Sequence, residues 1–377
     1  MVAVRHRQVL VDQVIQRRVG VCFADGGEIR EGAGEALAEH LPGQVVLGLE
    51  VVVEAAVREF GGLHQVGDAD PVDAVGPEPP AGGLEDPVVI ELLLLLCEAG
   101  HTLELLLERL PADRLAGLSR TPERAADLAE RGIEIRPGDY FDHPSLVRAF
   151  DGVDRLLLVS AQAFTDRDAQ HFNAITAARQ AGVRHVIYTA IQRDEDLGIT
   201  QVGVTESDVF AEQALRASGL TYTILRNPMY LDQIDVYLGA DPYRDGLRVP
   251  HGEGTMAPAL IRDLAAANVA VLTEDGHENT IYTLTGSEAA SFRDLAAALS
   301  DLHGETVPYR PVAEEEYLAS LQRDLPQPVA EFLTAWLVGV GRGSFSRNTG
   351  DLERLIGYRP TSYREFLAKH YPAVTAR

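Results

Sequence analysis

Lysine is almost missing from this chain of 377 residues: the only one is Lys369, close to the carboxyl end. Arginine carries the rest of the positive side-chain charge. A Tyr-x-x-x-Lys dyad, in which lysine lowers the pKa of a tyrosine that protonates a substrate, is therefore excluded everywhere but the last helix. Cysteine is scarce as well. Cys22 and Cys97 make neither a disulfide framework nor a metal set, which suits a reducing cytoplasm. The 11 histidines never pair at ligand spacing, so no metal site is expected. Basic charge is outweighed, with 33 Lys+Arg against 57 Asp+Glu and a net charge of −24. That balance excludes nucleic acid, which needs clustered Lys and Arg, and fits an acidic surface that keeps the chain soluble.

No run is long enough to cross a bilayer. Val88–Cys97 is the most apolar stretch, but Glu91 interrupts it and Glu98 follows, far short of about 18 apolar residues. Met1–Ala24 alternates charged and apolar residues, unlike a secretory signal. Nor is there a P-loop, an HExxH or a G-x-S-x-G elbow, since Gly341-Arg342-Gly343-Ser344 has the wrong spacing.

What is present is an alternation of strand-like and helix-like segments. Leu115–Ser119, Leu156–Ser160, His185–Ala190 and Thr221–Arg226 read as strands, and each but the last is followed by a helix-forming stretch. Arg167–Ala181 is closed by Gly182, and Thr205–Ser218 by Gly219, both helix stops. The pattern predicts an α/β fold: a Rossmann-type, doubly wound parallel sheet with helices on its faces. Val88–Leu96 reads as the first strand and Leu103–Leu110 as its helix. The predicted division is an irregular extension over 1–86, a nucleotide-binding domain over 87–235 and a smaller C-terminal α/β substrate-binding part over 236–377 with elements that complete the sheet. The extension ends in Asp70–Asp86, dense in Pro, Gly and acid, a linker by composition. Its glycines, Gly26, Gly27, Gly32 and Gly34, do not follow G-x-G-x-x-G.

Open parallel sheets bind ligands beyond the carboxyl ends of their strands, which directs attention to Ser119–Thr121, Ser160–Gln162, Thr189–Gln192 and Asn227–Asp232. Arg120, ending the second strand, suits a 2′-phosphate and hence NADP(H), where an acid would suit NAD; a solvated loop arginine is the bland alternative. Asp139, after the short strand Glu134–Arg136, is placed to flank an adenine, although Gly138-Asp139 is also a good turn. Ser160, Ala161 and Gln162 end the fourth strand, where backbone groups would face ribose and nicotinamide. Thr189 ends the fifth, with Ala190 beside it and no serine. Asn227, Pro228, Met229 and Tyr230 form the loop after the sixth. The expected glycine-rich phosphate turn is missing: Cys97-Glu98-Ala99-Gly100-His101-Thr102 offers one glycine and sets the anion Glu98 beside the expected phosphate.

Leu156–Gln162, Ala178-Arg179-Gln180-Ala181-Gly182-Val183 leading to Tyr188-Thr189, and Ser218-Gly219-Leu220-Thr221-Tyr222-Thr223-Ile224-Leu225-Arg226-Asn227 resemble the NmrA-like branch of the atypical short-chain dehydrogenases, with the flavour of NAD(P)H:quinone oxidoreductase type 2. The resemblance runs from about residue 105 to 371 and includes Tyr282-Thr283-Leu284-Thr285-Gly286 and Leu355-Ile356-Gly357-Tyr358-Arg359-Pro360-Thr361. It implies NADP(H) held at Arg120, Ser160–Gln162 and Asn227–Asp232, and a quinone-like small molecule near Tyr230. It also leaves room for a homodimer and for a second role, a non-catalytic NAD(P)-sensing regulator acting through a protein partner. Two departures stand out. The T-G-A-T-G-x-x-G loop that opens the family is replaced by about a hundred unrelated residues, as a displaced start or reading frame before about residue 102 would produce. A position that is often basic is Asp208. No catalytic residue is assigned.

Overall fold

In the computed structural model the described residues are 44–48, 98–161, 165–197, 204–234, 238–239, 241–323 and 325–371. Seven strands form one parallel sheet in the order β3-β2-β1-β4-β5-β6-β8. They are β1 (Gln44–Gly48), β2 (Leu115–Ser119), β3 (Glu134–Pro137), β4 (Val153–Leu158), β5 (His185–Ile191), β6 (Thr221–Asn227) and β8 (Thr280–Thr283). The order reverses between β1 and β4, which makes the crevice beyond their carboxyl ends a topological switch point. The Rossmann-like expectation therefore holds.

The centre of the sheet differs from the sequence reading. Val88–Leu96, expected as the first strand, lies outside the described residues, and the strand between β2 and β4 is β1, from the segment read as an extension. Val45 pairs with Leu115 on one side and Arg155 on the other. Gln-Val-Val-Leu-Gly has the short apolar composition of a central parallel strand. The longer leucine run nearer the first helix drew the assignment away from it.

The helices follow local signals. Helix α1, described over residues 98–107, already includes Glu98–Thr102, the segment expected to be a turn. Ala126–Glu130 (α2) and His143–Ala149 (α3) flank β3. Arg167–Ala181 (α4) starts where the Asp166 side chain accepts the Ala169 N–H and ends at Gly182, with φ 80°. Thr205–Ala217 (α5) leads to β6. Beyond it come Pro242–Asp245 (α6), Ile261–Thr273 (α7) and Phe292–His303 (α8), the last opened by a capping box between Ser291 and Asp294. Glu314–Leu321 (α9), Gln327–Arg342 (α10), Asp351–Ile356 (α11) and Tyr363–His370 (α12) complete the chain. A two-stranded parallel ribbon, β7 (Leu247–Pro250) with β9 (Tyr309–Val312), was not anticipated.

Alternation along the strands divides the core. Leu157, Ile187 and Leu225 pack with Leu103, Leu106 and Leu264 on the α1/α7 face, whereas Leu156, Leu158, Tyr188 and Ile224 pack with Ala174, Ala178 and Leu215 on the α4/α5 face. Both faces are covered, as an all-parallel sheet requires. A third cluster, including Met229, Leu295, Leu337 and Phe345, fills the C-terminal part. No helix among the described residues is long and apolar enough to cross a membrane.

Candidate active site at the strand ends

Two groups of residues gather beyond the carboxyl ends of the sheet. The first lies at β2 and β3. Arg120 is exposed and, with Arg136, Arg148 and Asp139, lines an open groove of about 610 Å³. The loop is rigidly tied: Thr121 N–H donates to Ser119 Oγ at 3.1 Å, Asp139 N–H to Ser145 Oγ at 3.0 Å, and Phe141 N–H to Asp139 Oδ1 at 2.8 Å. Gly138 permits a tight approach, since a Cβ there would stand 2.4 Å from Leu118 Cδ1. Arg136 is committed to the structure through Ala149 O, Asp151 O and Glu134.

The second group lies at β4, β5 and β6. Ser160 N–H donates to Thr189 Oγ1 at 3.1 Å, so two expected site residues are in direct contact. Ala161 N–H donates to His171 Nε2 at 2.9 Å. Burial, together with the nearby Arg167 charge, holds His171 well below the usual histidine range, so the ring is neutral and free to accept at Nε2. Gln162 lies outside the described residues. Arg167 donates to Ala161 O and to Asp208 Oδ1, and Asp208 also receives Tyr188 Oη–H at 2.8 Å and Ile191 N–H at 2.8 Å. This buried set fastens the end of β4 to the end of β5.

The Asn227–Tyr230 loop is stitched to the C-terminal part. Ala259 N–H donates to Met229 O at 3.1 Å and Leu231 N–H to Ala259 O at 2.9 Å. Pro228 is buried, and Tyr230 is half-buried. Trp336 of α10 donates its indole N–H to Met229 Sδ, stacks on Phe345 at 5.7 Å and tilts against Phe332 at 5.4 Å.

Glu98 does not stand where the sequence suggested. Its side chain is turned into the protein, with 0% exposure, and receives Asn227 Nδ2, Asn268 Nδ2 and the Tyr230 hydroxyl. Burial raises its pKa above the usual carboxylate range, although these three donors pull the other way. In the unfolded chain the group titrates near pH 4.3. A folded pKa above the unfolded one gives stability that is complete at acid pH and declines as pH rises through the interval between them. Glu98→Gln is accordingly expected to melt higher than the parent at pH 8, with the gap closing toward pH 5. A difference in melting temperature that is the same at both pH values would contradict it.

Sequence reasoning missed Arg167, His171, Asn268 and Trp336. One signal was available: Arg167, Gln170 and His171 fall at helical spacing on the same face as Ala174 and Ala178, and polar side chains inside an apolar stripe call for partners.

The comparisons with known proteins agree with this geometry. Residues 99–274 match a family described as NAD(P)H-binding. Quinone oxidoreductase 2 of Escherichia coli is 34% identical over 273 residues, covering 71% of this chain and 93% of that protein. The NmrA-like family domain-containing oxidoreductase flvB of Aspergillus flavus is 30% identical over 58% of this chain and 72% of its own length. The chain belongs to the NmrA-like family of NAD(P)H-binding oxidoreductases. As a member of this family it is an NAD(P)H-dependent oxidoreductase. The crystal structure of the E. coli NADPH-dependent quinone oxidoreductase in complex with NADPH superposes with a TM-score of 0.68 at 31% identity, covering 73% of this chain and 96% of that one. The NmrA-like resemblance read from the sequence is thus borne out, and NAD(P)H is the cofactor of the fold.

Proposed function

We propose that this NmrA-like oxidoreductase transfers a hydride from NADPH to a small, planar, quinone-like acceptor. Two observations suit the described residues to the dinucleotide. Exposed Arg120 borders a groove of about 610 Å³ that Asp139 also lines, and the adenosine 2′-phosphate would lie there. The buried Oδ1 of Asn227, at the end of β6, has no hydrogen-bond partner among the described residues. Ser160, Ala161, Gln162 and Thr189 would border the ribose and nicotinamide, and Asn227, Pro228, Met229 and Tyr230 would close over the ring.

The cofactor supplies the hydride when bound; everything else is the work of the chain. Arg120 pairs with the 2′-phosphate through charge-assisted hydrogen bonds. The Ser160–Thr189 contact and the Arg167–Asp208 pair keep the strand ends in register. Reduction of a quinone to a hydroquinone takes one hydride and one proton. With no Tyr-x-x-x-Lys dyad, the proton comes from water, since the electron pair is the difficult part of the transfer. The observation that carries the choice of acceptor is the aromatic wall: Trp336, backed by Phe345 and flanked by Phe332, touches the Met229 loop. A flat conjugated molecule gains stacking there, and the E. coli relatives are named for quinone reduction.

The test is the fall in NADPH absorbance with a simple benzoquinone or naphthoquinone. Saturable, enzyme-dependent oxidation is expected, and Trp336→Ala should raise KM for the quinone about 10-fold, as the loss of one aromatic stacking contact of about 1.5 kcal/mol would produce. Tight NADPH binding without oxidation of any quinone would select the regulatory reading instead.

A further inference from the structure

The amide of Asn227 is oriented, and the residue that orients it is Glu98. Asn227 is 2% exposed at the last position of β6. Its Nδ2 lies 3.1 and 3.0 Å from the two carboxyl oxygens of Glu98. With the Glu98 carboxylate ionised, turning the amide over would set its oxygen against theirs, so the nitrogen faces Glu98 and Oδ1 faces away. Glu98 is itself braced: Asn268 Nδ2 donates to its Oε1 at 2.9 Å and to Thr102 Oγ1 at 3.2 Å, and Thr102 Oγ1 donates to Glu98 O at 2.8 Å. The carboxyl is thereby fixed to α1 on one side and α7 on the other.

This arrangement leaves one acceptor unused. Asn227 Oδ1 is buried with no partner among the described residues, and an unpaired buried acceptor is costly enough to need a reason. Asn268 Oδ1 is also unpartnered, but it belongs to the middle of α7 (Ile261–Thr273) rather than to a strand end. A ligand that satisfies Asn227 must present an N–H. On the proposed reading, on which this inference rests, the loop opened by Asn227 borders the nicotinamide, and the carboxamide of that ring carries an NH₂.

We propose that Glu98 is a positioning residue for the hydride-transfer site: its carboxyl holds the Asn227 amide so that Oδ1 accepts the nicotinamide carboxamide N–H. Glu98 acts through the end of β6 and the loop after it, on Asn227 and also on Tyr230, whose hydroxyl donates to it at 3.4 Å. Glu98 lies one residue before the family match, which begins at residue 99.

Equilibrium binding to the full chain separates this role from a merely structural one. Three ligands are titrated by calorimetry: NADPH, its reduced 3-acetylpyridine analogue, which keeps the carbonyl but has a methyl group in place of NH₂, and 2′,5′-ADP, which has no nicotinamide. The parent is expected to favour NADPH over the acetyl analogue by about 10-fold, the worth of one buried hydrogen bond. In Asn227→Ala and Glu98→Leu that ratio should fall to about 1, with 2′,5′-ADP affinity unchanged. Glu98→Gln should restore it, since the glutamine oxygen still accepts from Asn227 Nδ2. If Glu98→Leu fails to fold, Glu98→Asp replaces it, because the shorter side chain keeps the charge but withdraws it from Asn227. A full ratio in Glu98→Leu or Glu98→Asp overturns the positioning role. A ratio near 1 in the parent overturns the Asn227 assignment. Loss of the ratio in Asn268→Ala but not in Asn227→Ala moves the acceptor and overturns it as well. A parent that binds 2′,5′-ADP but fails these comparisons leaves the nucleotide reading standing; one that binds none of the three removes both.

Discussion

Replacing Asp208 by alanine is expected to cost about 3–5 kcal/mol of folding stability, the usual penalty for leaving one partner of a buried ion pair alone. The side chains of Arg167 and Asp208 are 2% and 0% exposed and lie 2.6 Å apart. Without the carboxylate, the Arg167 guanidinium loses its counter-charge but keeps Ala161 O, while Tyr188 Oη–H and Ile191 N–H each lose an acceptor. In the parent, burial first and the Asp208 charge second push the Tyr188 phenol well above the usual tyrosine range; in the variant burial still favours the protonated phenol, a donor that has lost its acceptor. The measurement is the urea unfolding midpoint at constant m-value. The double variant Arg167→Met/Asp208→Leu should recover much of the loss, because well-packed apolar side chains often replace a buried ion pair without penalty. An Asp208→Ala unfolding free energy within about 0.5 kcal/mol of the parent, the range of an ordinary surface change, would show that the pair carries little. Asp208 looked like a departure from the family in the sequence; in the fold it is the counter-charge of Arg167.

How much the sequence disclosed depended on whether the deciding signal was local. Arg167–Ala181 was read to the residue because Asp166 and Gly182 are chemical stops at its ends. Tyr363–His370 carries local signals of the same kind, with Ser362 and Glu365 closing a capping box. Strand β1 was not, because a five-residue run gains its place only from pairing with β2 and β4, more than 60 residues downstream. The β7–β9 ribbon was missed for the same reason. At the site, strand ends located Arg120, Ser160, Thr189 and Asn227, and the fold brings Ser160 against Thr189. What the strand ends could not give was direction. A carboxylate beside a helix start suggested repulsion of phosphate, yet Glu98 faces inward to Asn227 and Asn268. Side-chain direction follows from packing against α7, which is remote in sequence.

Arg120→Ala is expected to weaken NADPH binding by about 10- to 100-fold while changing NADH affinity less than about 2-fold. The difference is the 1.5–3 kcal/mol of a hydrogen bond to a charged group, expressed only when the 2′-phosphate is present. Arg136 and Arg148 share the groove, but Arg136 is spent on Ala149 O and Asp151 O, so it cannot replace the lost contact without releasing α3. Asp139 is pinned by Phe141 N–H, and its fixed negative charge at the groove makes a compensating cation more necessary for a phosphate ligand. Dissociation constants for both cofactors, measured at low and at moderate salt, check the claim. Because Arg120 is exposed, the NADPH penalty should shrink as ionic strength rises. Equal weakening of NADPH and NADH would remove Arg120 from the 2′-phosphate and leave it as a structural arginine of the β2 turn. A penalty that ignores salt would point instead to a change in loop shape, transmitted through the Ser119–Thr121 turn and its hydrogen bond at 3.1 Å.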